Sequence, residues 1–172
     1  MSLRVKIIPC RTDNYSYMCI DNKNNAFVVD PSEFMPVDEF IKTNNLNLKY
    51  ILNTHHHFDH VGGNIELKEK YGAKIVGNKN DKDRIPGIDI CLIEGEFFKF
   101  NEYKAEIIDI PGHTIGHIAF HIQSENIVFT GDTLFSLGCG RIFEGTPEMM
   151  YQSLNKLKNL PENTRVYCGH EY

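Results

Sequence analysis

The run Asn53-Thr54-His55-His56-His57-Phe58-Asp59-His60 constrains this chain more than any other stretch. It follows a short apolar segment, Tyr50 to Leu52, and precedes Gly62-Gly63 and a helical pattern. Imidazoles and a carboxylate are therefore delivered where a strand gives way to a turn. With 8 histidines in 172 residues, chance supplies about 0.001 matches to H-x-H-x-D-H. His55 and His57, two apart on an extended segment, project to one side, whereas Asp59 and His60 fall where the chain turns and can face a second, adjacent centre.

Three further candidates stand at the ends of apolar runs, each beside a glycine: His113 in Pro111-Gly112-His113-Thr114, Asp132 in Thr130-Gly131-Asp132-Thr133, and His170 in Cys168-Gly169-His170-Glu171-Tyr172. Glycine lets backbone crowd a metal cluster, and sheet rims are where functional side chains usually gather. Five histidines and two aspartates (His55, His57, His60, His113, His170, Asp59 and Asp132) are too many ligands for one tetrahedral ion. They suit two ions that share a bridging carboxylate. His56, His117 and His121 read as structural, since His56 alternates away from its neighbours and His121 lies inside a strand pattern. Glu66, Lys68 and Glu69 read as a solvated helix face, and Met149, Met150, Leu154 and Leu157 as core at helical spacing.

The rest of the chain frames a soluble domain. Its 172 residues suffice for one domain and not two, and 41% hydrophobic with 24% charged residues excludes disorder and fibrous repeats. The net charge of −5, without a cluster of Lys and Arg, argues against nucleic acid as a partner. No apolar run approaches the ~20 residues a spanning helix needs, and Met1 to Lys6 lacks a signal-peptide core, so a cytoplasmic protein with no membrane partner is expected. Five scattered cysteines, Cys10, Cys19, Cys91, Cys139 and Cys168, without a C-x-x-C pair, fit reduced thiols acting as small buried hydrophobes.

Short β-branched and aromatic runs predict strands over 5–8, 15–20, 26–29, 50–52, 74–76, 105–110, 118–122, 127–130 and 165–167. Helices are predicted over 37–43, with Pro36 in the first turn, over 64–71, stopped by Gly72, and over 147–158, capped by Thr146. Helices occur singly rather than after every strand, which points to a mixed α/β fold of two sheets with helices outside.

The segments T-H-H-H-F-D-H-V-G-G-N, P-G-H-T-I-G-H, F-T-G-D-T-L-F-S-L-G-C-G-R-I-F-E-G-T and V-Y-C-G-H-E-Y resemble the metallo-β-lactamase superfamily and, within it, the glyoxalase II (hydroxyacylglutathione hydrolase) family of the bacterial type. The resemblance implies an αβ/βα four-layer sandwich with its site at one edge of two facing sheets. It implies that His55, His57 and His113 hold one metal, Asp59, His60 and His170 a second, and that Asp132 bridges them, with Asp59 and Asp132 serving catalysis. Two divalent ions, zinc foremost, with iron or manganese as alternatives that an all-N/O ligand set also accepts, would lower the pKa of a shared water to about 7. The resulting hydroxide would attack the carbonyl of a glutathione thioester, S-lactoylglutathione, giving lactate and glutathione and so serving methylglyoxal detoxification. Arg141, Phe143 and Tyr172 are implied near the glutathione moiety, Arg141 through its planar fork and Phe143 where some relatives carry Tyr.

That family continues past C-G-H-E-Y into a helical C-terminal domain that supplies much of the glutathione grip. Residues 1–172 are accordingly expected to be one catalytic domain without that helical domain, monomeric, with an intact metal centre and a weakened substrate grip. Other readings remain open. Nucleic-acid-processing relatives share H-x-H-x-D-H but carry a basic exosite that a net charge of −5 does not provide. A mononuclear iron sulfur dioxygenase shares much of the pattern, although His117 and C-G-H-E-Y favour the thioesterase. A non-catalytic metal-binding core is the alternative from outside the enzymes.

Overall fold

The structure is a computed structural model and describes residues 2–172; Met1, part of the N-terminal stretch read above, lies outside the described residues. Among the described residues eleven strands form two sheets. The first contains β1 (Arg4–Cys10), β2 (Asn14–Ile20), β3 (Asn25–Val29), β4 (Asn47–Leu52), β5 (Lys74–Asn78) and β6 (Ile88–Leu92) side by side in that order. Pairing is antiparallel from β1 to β3 and parallel from β3 to β6. The second contains β7 (Phe97–Phe100), β8 (Tyr103–Asp109), β9 (Ile118–Ile122), β10 (Ile127–Gly131) and β11 (Arg165–Cys168), in the spatial order β11-β10-β9-β8-β7. It is antiparallel except for the parallel pair β10 and β11.

Among the described residues the four α-helices are α1 (Phe34–Thr43), α2 (Phe58–Val61), α3 (Asn64–Tyr71) and α4 (Pro147–Lys158). The alternation of side chains along each strand explains the layering. Phe27 and Val29 of β3 face Phe120 of β9 and Phe129 of β10 across the space between the sheets, with Leu52, Val76, Phe98 and Ile107 in the same cluster. The alternate residues Ala26 and Val28 turn outward and pack with Val37 and Ile41 of α1 and Leu67 of α3. On the far side, Ala119 and Val128 meet Leu157 of α4. Strands covered on both faces read as continuous apolar runs, as Ala26 to Val29 does. The result is the expected four-layer arrangement of helix, sheet, sheet and helix.

The helix signals act as read: Gly72 closes α3 in the left-handed conformation at φ 68°, and the Thr146 hydroxyl accepts the Met149 N–H at the start of α4. Several expectations are corrected. β6 and β7 were not expected; they are the outer strands of their sheets, and the short, interrupted runs Ile88-Asp89-Ile90 and Phe97-Phe98-Lys99-Phe100 give weak strand signals. α1 begins three residues early, at Phe34. Met149 is exposed at the solvent side of the first turn of α4, while Met150 and Leu157 are the buried pair. Cys10, Cys19 and Cys168 are buried, but Cys91 and Cys139 are exposed because one lies on an outer strand and the other in a surface loop.

Candidate metal centre

Every candidate ligand sits where a chain segment leaves the same edge of the sandwich. β4 ends at Leu52, and an irregular segment over 53–57 carries His55 and His57 before α2 presents Asp59 and His60 from a single turn. β8 feeds the turn holding His113, β10 ends at Gly131 just before Asp132, and β11 ends two residues before His170. Two glycines are required by the crowding. Gly131 adopts φ 51°, and a Cβ there would meet the Thr54 hydroxyl and the His117 ring. A Cβ on Gly169 would run into Asp132 Oδ1 and the His60 ring.

The seven side chains converge as two triads about one carboxylate. Donor atoms of His55, His57 and His113 all lie within 4.8 Å of one another, and so do those of Asp59, His60 and His170. Asp132 stands between them: Oδ2 is 3.3 Å from His113 Nε2, 4.0 Å from His55 Nε2 and 3.3 Å from His170 Nε2, while Oδ1 is 3.3 Å from His60 Nε2. Asp59 Oδ2 lies 3.4 Å from His60 Nε2 and 3.2 Å from His170 Nε2.

Residues outside the predicted set fix how these rings face. Asp30, at the end of β3, accepts the Thr54 N–H at 2.8 Å and the Thr54 hydroxyl at 2.6 Å, and sits 3.0 Å from His60 Nδ1. Thr54 Oγ1 in turn lies 3.0 Å from His55 Nδ1. His113 Nδ1 is 2.6 Å from the Arg141 carbonyl, and His170 Nδ1 is 3.1 Å from Asp13 Oδ1. The outer ring nitrogens of His55, His60, His113 and His170 thus each have an oxygen partner, which aims their Nε2 atoms inward, while His57 brings Nδ1 to 3.0 Å from His113 Nε2. Asp30 also lies near His55 and His60 as a third cluster of donors, but both of its oxygens are already engaged by these contacts. Asn14 donates from Nδ2 to Asp59 Oδ2 at 2.9 Å.

Three histidines read as structural have distinct places. His121 is remote, on the outer face of the second sheet and 3.9 Å from Glu106. His56 turns away from the centre, with Nδ1 3.5 Å from Asp81 Oδ2 and Nε2 3.5 Å from Glu144 Oε1. His117 is fully buried, stacks on His55 at 4.5 Å, and accepts the Asp132 backbone N–H at Nε2. Burial pushes its pKa down to about 3, with neighbouring imidazoles adding to the effect against the opposing pull of Asp132, so it serves as a neutral acceptor beneath the site.

The electrostatics suit cations. Burial would raise the Asp132 carboxyl, but His60, His113 and His170 reverse this and hold it well below the usual carboxylate range. Asp59 is depressed in the same way by His170 and His60. Burial pushes His55 and His57 down, which keeps them neutral and able to ligate. Against the burial cost, Asp132 and Asp59 raise His170 to about 10. The fully buried His55 Nε2 and His60 Nε2, together with Asp132 Oδ1, have no hydrogen-bond partner, and divalent ions among these atoms would satisfy all three.

A cleft of about 720 Å³ opens over the cluster, floored by His57, His113 and Asp132 and walled by Arg141, Phe143 and Tyr172. Phe143 sets its ring edge-on to His57 and His113, at 5.6 and 5.3 Å. Tyr172 stacks on His170 at 5.4 Å. Among the described residues the Arg141 guanidinium has no carboxylate partner. Sequence reasoning missed Asp13, Asn14, Asp30 and Thr54. Only Asp30 carries a signal of the kind used for the others, a polar residue directly after an apolar run and before Pro31.

Residues 11–170 match the Metallo-beta-lactamase superfamily. Over 171 residues, 99% of this chain and 72% of the relative, the sequence is 59% identical to the hydroxyacylglutathione hydrolase of Pelagibacter ubique. The chain belongs to the hydroxyacylglutathione hydrolases of the metallo-β-lactamase superfamily. Among solved structures it is similar to the BLEG-1 B3 metallo-beta-lactamase, with a TM-score of 0.90 at 24% identity over 98% of this chain and 92% of the other. It is also similar to TTHA1623 in a di-iron-bound form, with a TM-score of 0.81 at 26% identity over 98% of this chain and 92% of that one. The hydroxyacylglutathione hydrolase fold therefore accounts for the sandwich, and its family membership for the clustered His and Asp side chains suited to metal binding.

Proposed function

We propose that residues 1–172 form one catalytic domain that hydrolyses glutathione thioesters of hydroxy acids, S-lactoylglutathione foremost, with two divalent ions per chain. The observation that carries the reading is Asp132 standing between two complete triads with unpaired, inward-facing nitrogens on either side. His55, His57 and His113 would hold one ion, Asp59, His60 and His170 the other, and Asp132 both. The kinship with the Pelagibacter ubique hydrolase and the likeness to a protein seen in a di-iron form support it. Zinc, iron and manganese all suit these nitrogen and oxygen donors, zinc foremost.

Ions held there supply an acidified water as nucleophile and an electrophilic seat for the thioester carbonyl. The protein's own residues do the rest. Asp30, Thr54, Asp13 and the Arg141 carbonyl keep the imidazoles aimed inward, so no reorganisation is needed when charge develops. Asp59 and Asp132 hold their negative charge at working pH and orient the nucleophile between the triads. Arg141 offers an unpaired guanidinium to a carboxylate of the glutathione moiety, and Phe143 and Tyr172 line the same cleft beside it. Water adds to the carbonyl carbon and the carbon–sulfur bond breaks; one water proton ends on the departing sulfur and the other is released to solvent, so the products are a carboxylate, the glutathione thiol and a proton.

We further propose the cytoplasm as the setting and a monomer as the working unit. No described helix is long and apolar enough to cross a membrane. The test is a panel of S-lactoylglutathione, a phosphodiester and a β-lactam on zinc-replete protein. The thioester is expected to be turned over with a kcat/KM at least a hundredfold above the others. Faster phosphodiester cleavage would place the chain in another branch.

A further inference from the structure

The segment 139–145 supports the first triad through a set of backbone hydrogen bonds. The Arg141 carbonyl accepts the His113 Nδ1–H, the Phe143 N–H donates to the His113 carbonyl at 3.2 Å, the Gly145 N–H to Gly112 at 3.0 Å, and the Gly140 N–H to Asp132 at 3.0 Å. The same segment presents Arg141 and Phe143 to the cleft. It has little apolar anchorage, since Ile142 is 39% and Phe143 62% exposed. Among the described residues, the only side-chain hydrogen bonds made by 139–145 are those of Glu144.

Those bonds reach two other segments, and His56 is a further neighbour of the same carboxylate. Arg84 engages Glu144 in two places, NH1 to Oε1 at 2.6 Å and NH2 to Oε2 at 3.2 Å. The Ile115 N–H donates to Oε2 at 2.8 Å, tying down the turn that carries His113. His56, between ligands His55 and His57, lies 3.5 Å from Oε1. Arg84 is itself held from behind by the fully buried Asp81, which accepts Nε at 3.0 Å and NH2 at 2.6 Å. A planar guanidinium gripped on both sides is a rigid tether rather than a swinging surface pair.

The geometry points to Glu144 as a positioning residue that sets the 139–145 loop, through Arg84 and Ile115, so that one element fixes both the first metal triad and the substrate wall. Glu144 touches neither metal ligand atoms nor the cleft, so its effect passes through the Arg141 carbonyl and the Arg141 and Phe143 side chains. Removing it is expected to weaken the His55, His57 and His113 site and raise KM, while leaving Asp59, His60 and His170 in place. Partners that orient ligands typically contribute 10–100-fold to metal affinity, and small misplacements of a substrate wall cost on the same scale. Only the KM arm rests on the thioesterase reading; the metal arm stands without it.

The experiment compares the 172-residue parent, Glu144→Ala and Glu144→Gln by competition titration with zinc against a chromophoric chelator, together with S-lactoylglutathione kinetics and thermal melting. A parallel set in the His60→Ala background, which removes one second-triad ligand, reports the first site alone. Glu144→Ala is expected to lose about tenfold in first-site zinc affinity and to raise KM about tenfold. Its kcat is expected to fall less than threefold and its melting temperature to stay near the parent's. Glu144→Gln keeps an acceptor for the Ile115 N–H and is expected to recover part of both losses. First-site affinity and KM within twofold of parent in Glu144→Ala would overturn the assignment. So would equal losses at both metal sites accompanied by a lower melting temperature, which mark general destabilisation. If the parent fails to cleave the thioester, the functional reading fails and the zinc titration alone decides the role of Glu144.

Discussion

Asn14 opens the second strand of the first sheet, yet its side-chain amide spans to the metal loop and donates to both Asp59 Oδ2 at 2.9 Å and the Asp59 carbonyl at 3.0 Å. Its neighbour Tyr15 donates its N–H to the Gly169 carbonyl at 2.9 Å, so one end of β2 grips the α2 turn and the approach to His170 together. Asn14→Ala is therefore expected to weaken the Asp59, His60 and His170 site by about tenfold or more while sparing the first triad, read by stepwise zinc titration. Equal losses at both sites would contradict a local role.

Asp30 is buried and engages the Thr54 N–H, the Thr54 hydroxyl and the His60 ring at once. Asp30→Ala strands all three in the interior. Each unpaired buried group costs ~1–3 kcal/mol, so a loss of about 3 kcal/mol or more is expected in urea unfolding of the metal-free protein, with weaker metal binding at both sites. A loss below about 1 kcal/mol would show that Asp30 does not organise this corner.

Much of this centre was legible in the sequence, because all seven candidate ligands stand at strand ends or in one continuous motif, and strand ends can be found from apolar periodicity. The supporting contacts were not. Asn14 meets Asp59 from 45 positions away, and Arg84 meets Glu144 from 60. Such pairs are brought together by sheet order alone. Gly131, by contrast, could be suspected from its place before Asp132, and the structure supplies the reason: Thr54 and His117 leave no room for a Cβ. The missed strands β6 and β7 border their sheets, where half-exposed residues blur the period-two pattern.

Protons and metal compete for His170. In the metal-free chain, burial disfavours the charged ring, but Asp132 and Asp59 raise its pKa to about 10, above the ~6.5 of an unfolded chain. The stabilising proton is fully present below pH ~6.5 and is lost as pH rises through about 10, so the metal-free protein should lose stability across that window. Zinc must displace the same proton. Loading at pH 7 is expected to release protons and to tighten as pH rises, as calorimetry in buffers of different ionisation enthalpy would show. Buffer-independent heats would contradict a protonated His170.

Gly169→Ala places a methyl group against Asp132 Oδ1 and the His60 ring. Backbone and ligand must shift apart, so the variant is expected to bind less metal at the second site and to lose at least tenfold in thioester turnover while remaining folded by circular dichroism. Full metal content at wild-type affinity would show that the site yields more readily than its packing implies.

The central claim is that Asp132 joins two triads into one two-ion centre, and metal stoichiometry tests it most directly. Elemental analysis of the purified, metal-replete chain, with Asp132→Asn alongside, is expected to return about two ions per chain in the parent and a loss from both sites in the variant. One ion per chain in replete parent, or an Asp132→Asn chain that still holds two, would contradict it.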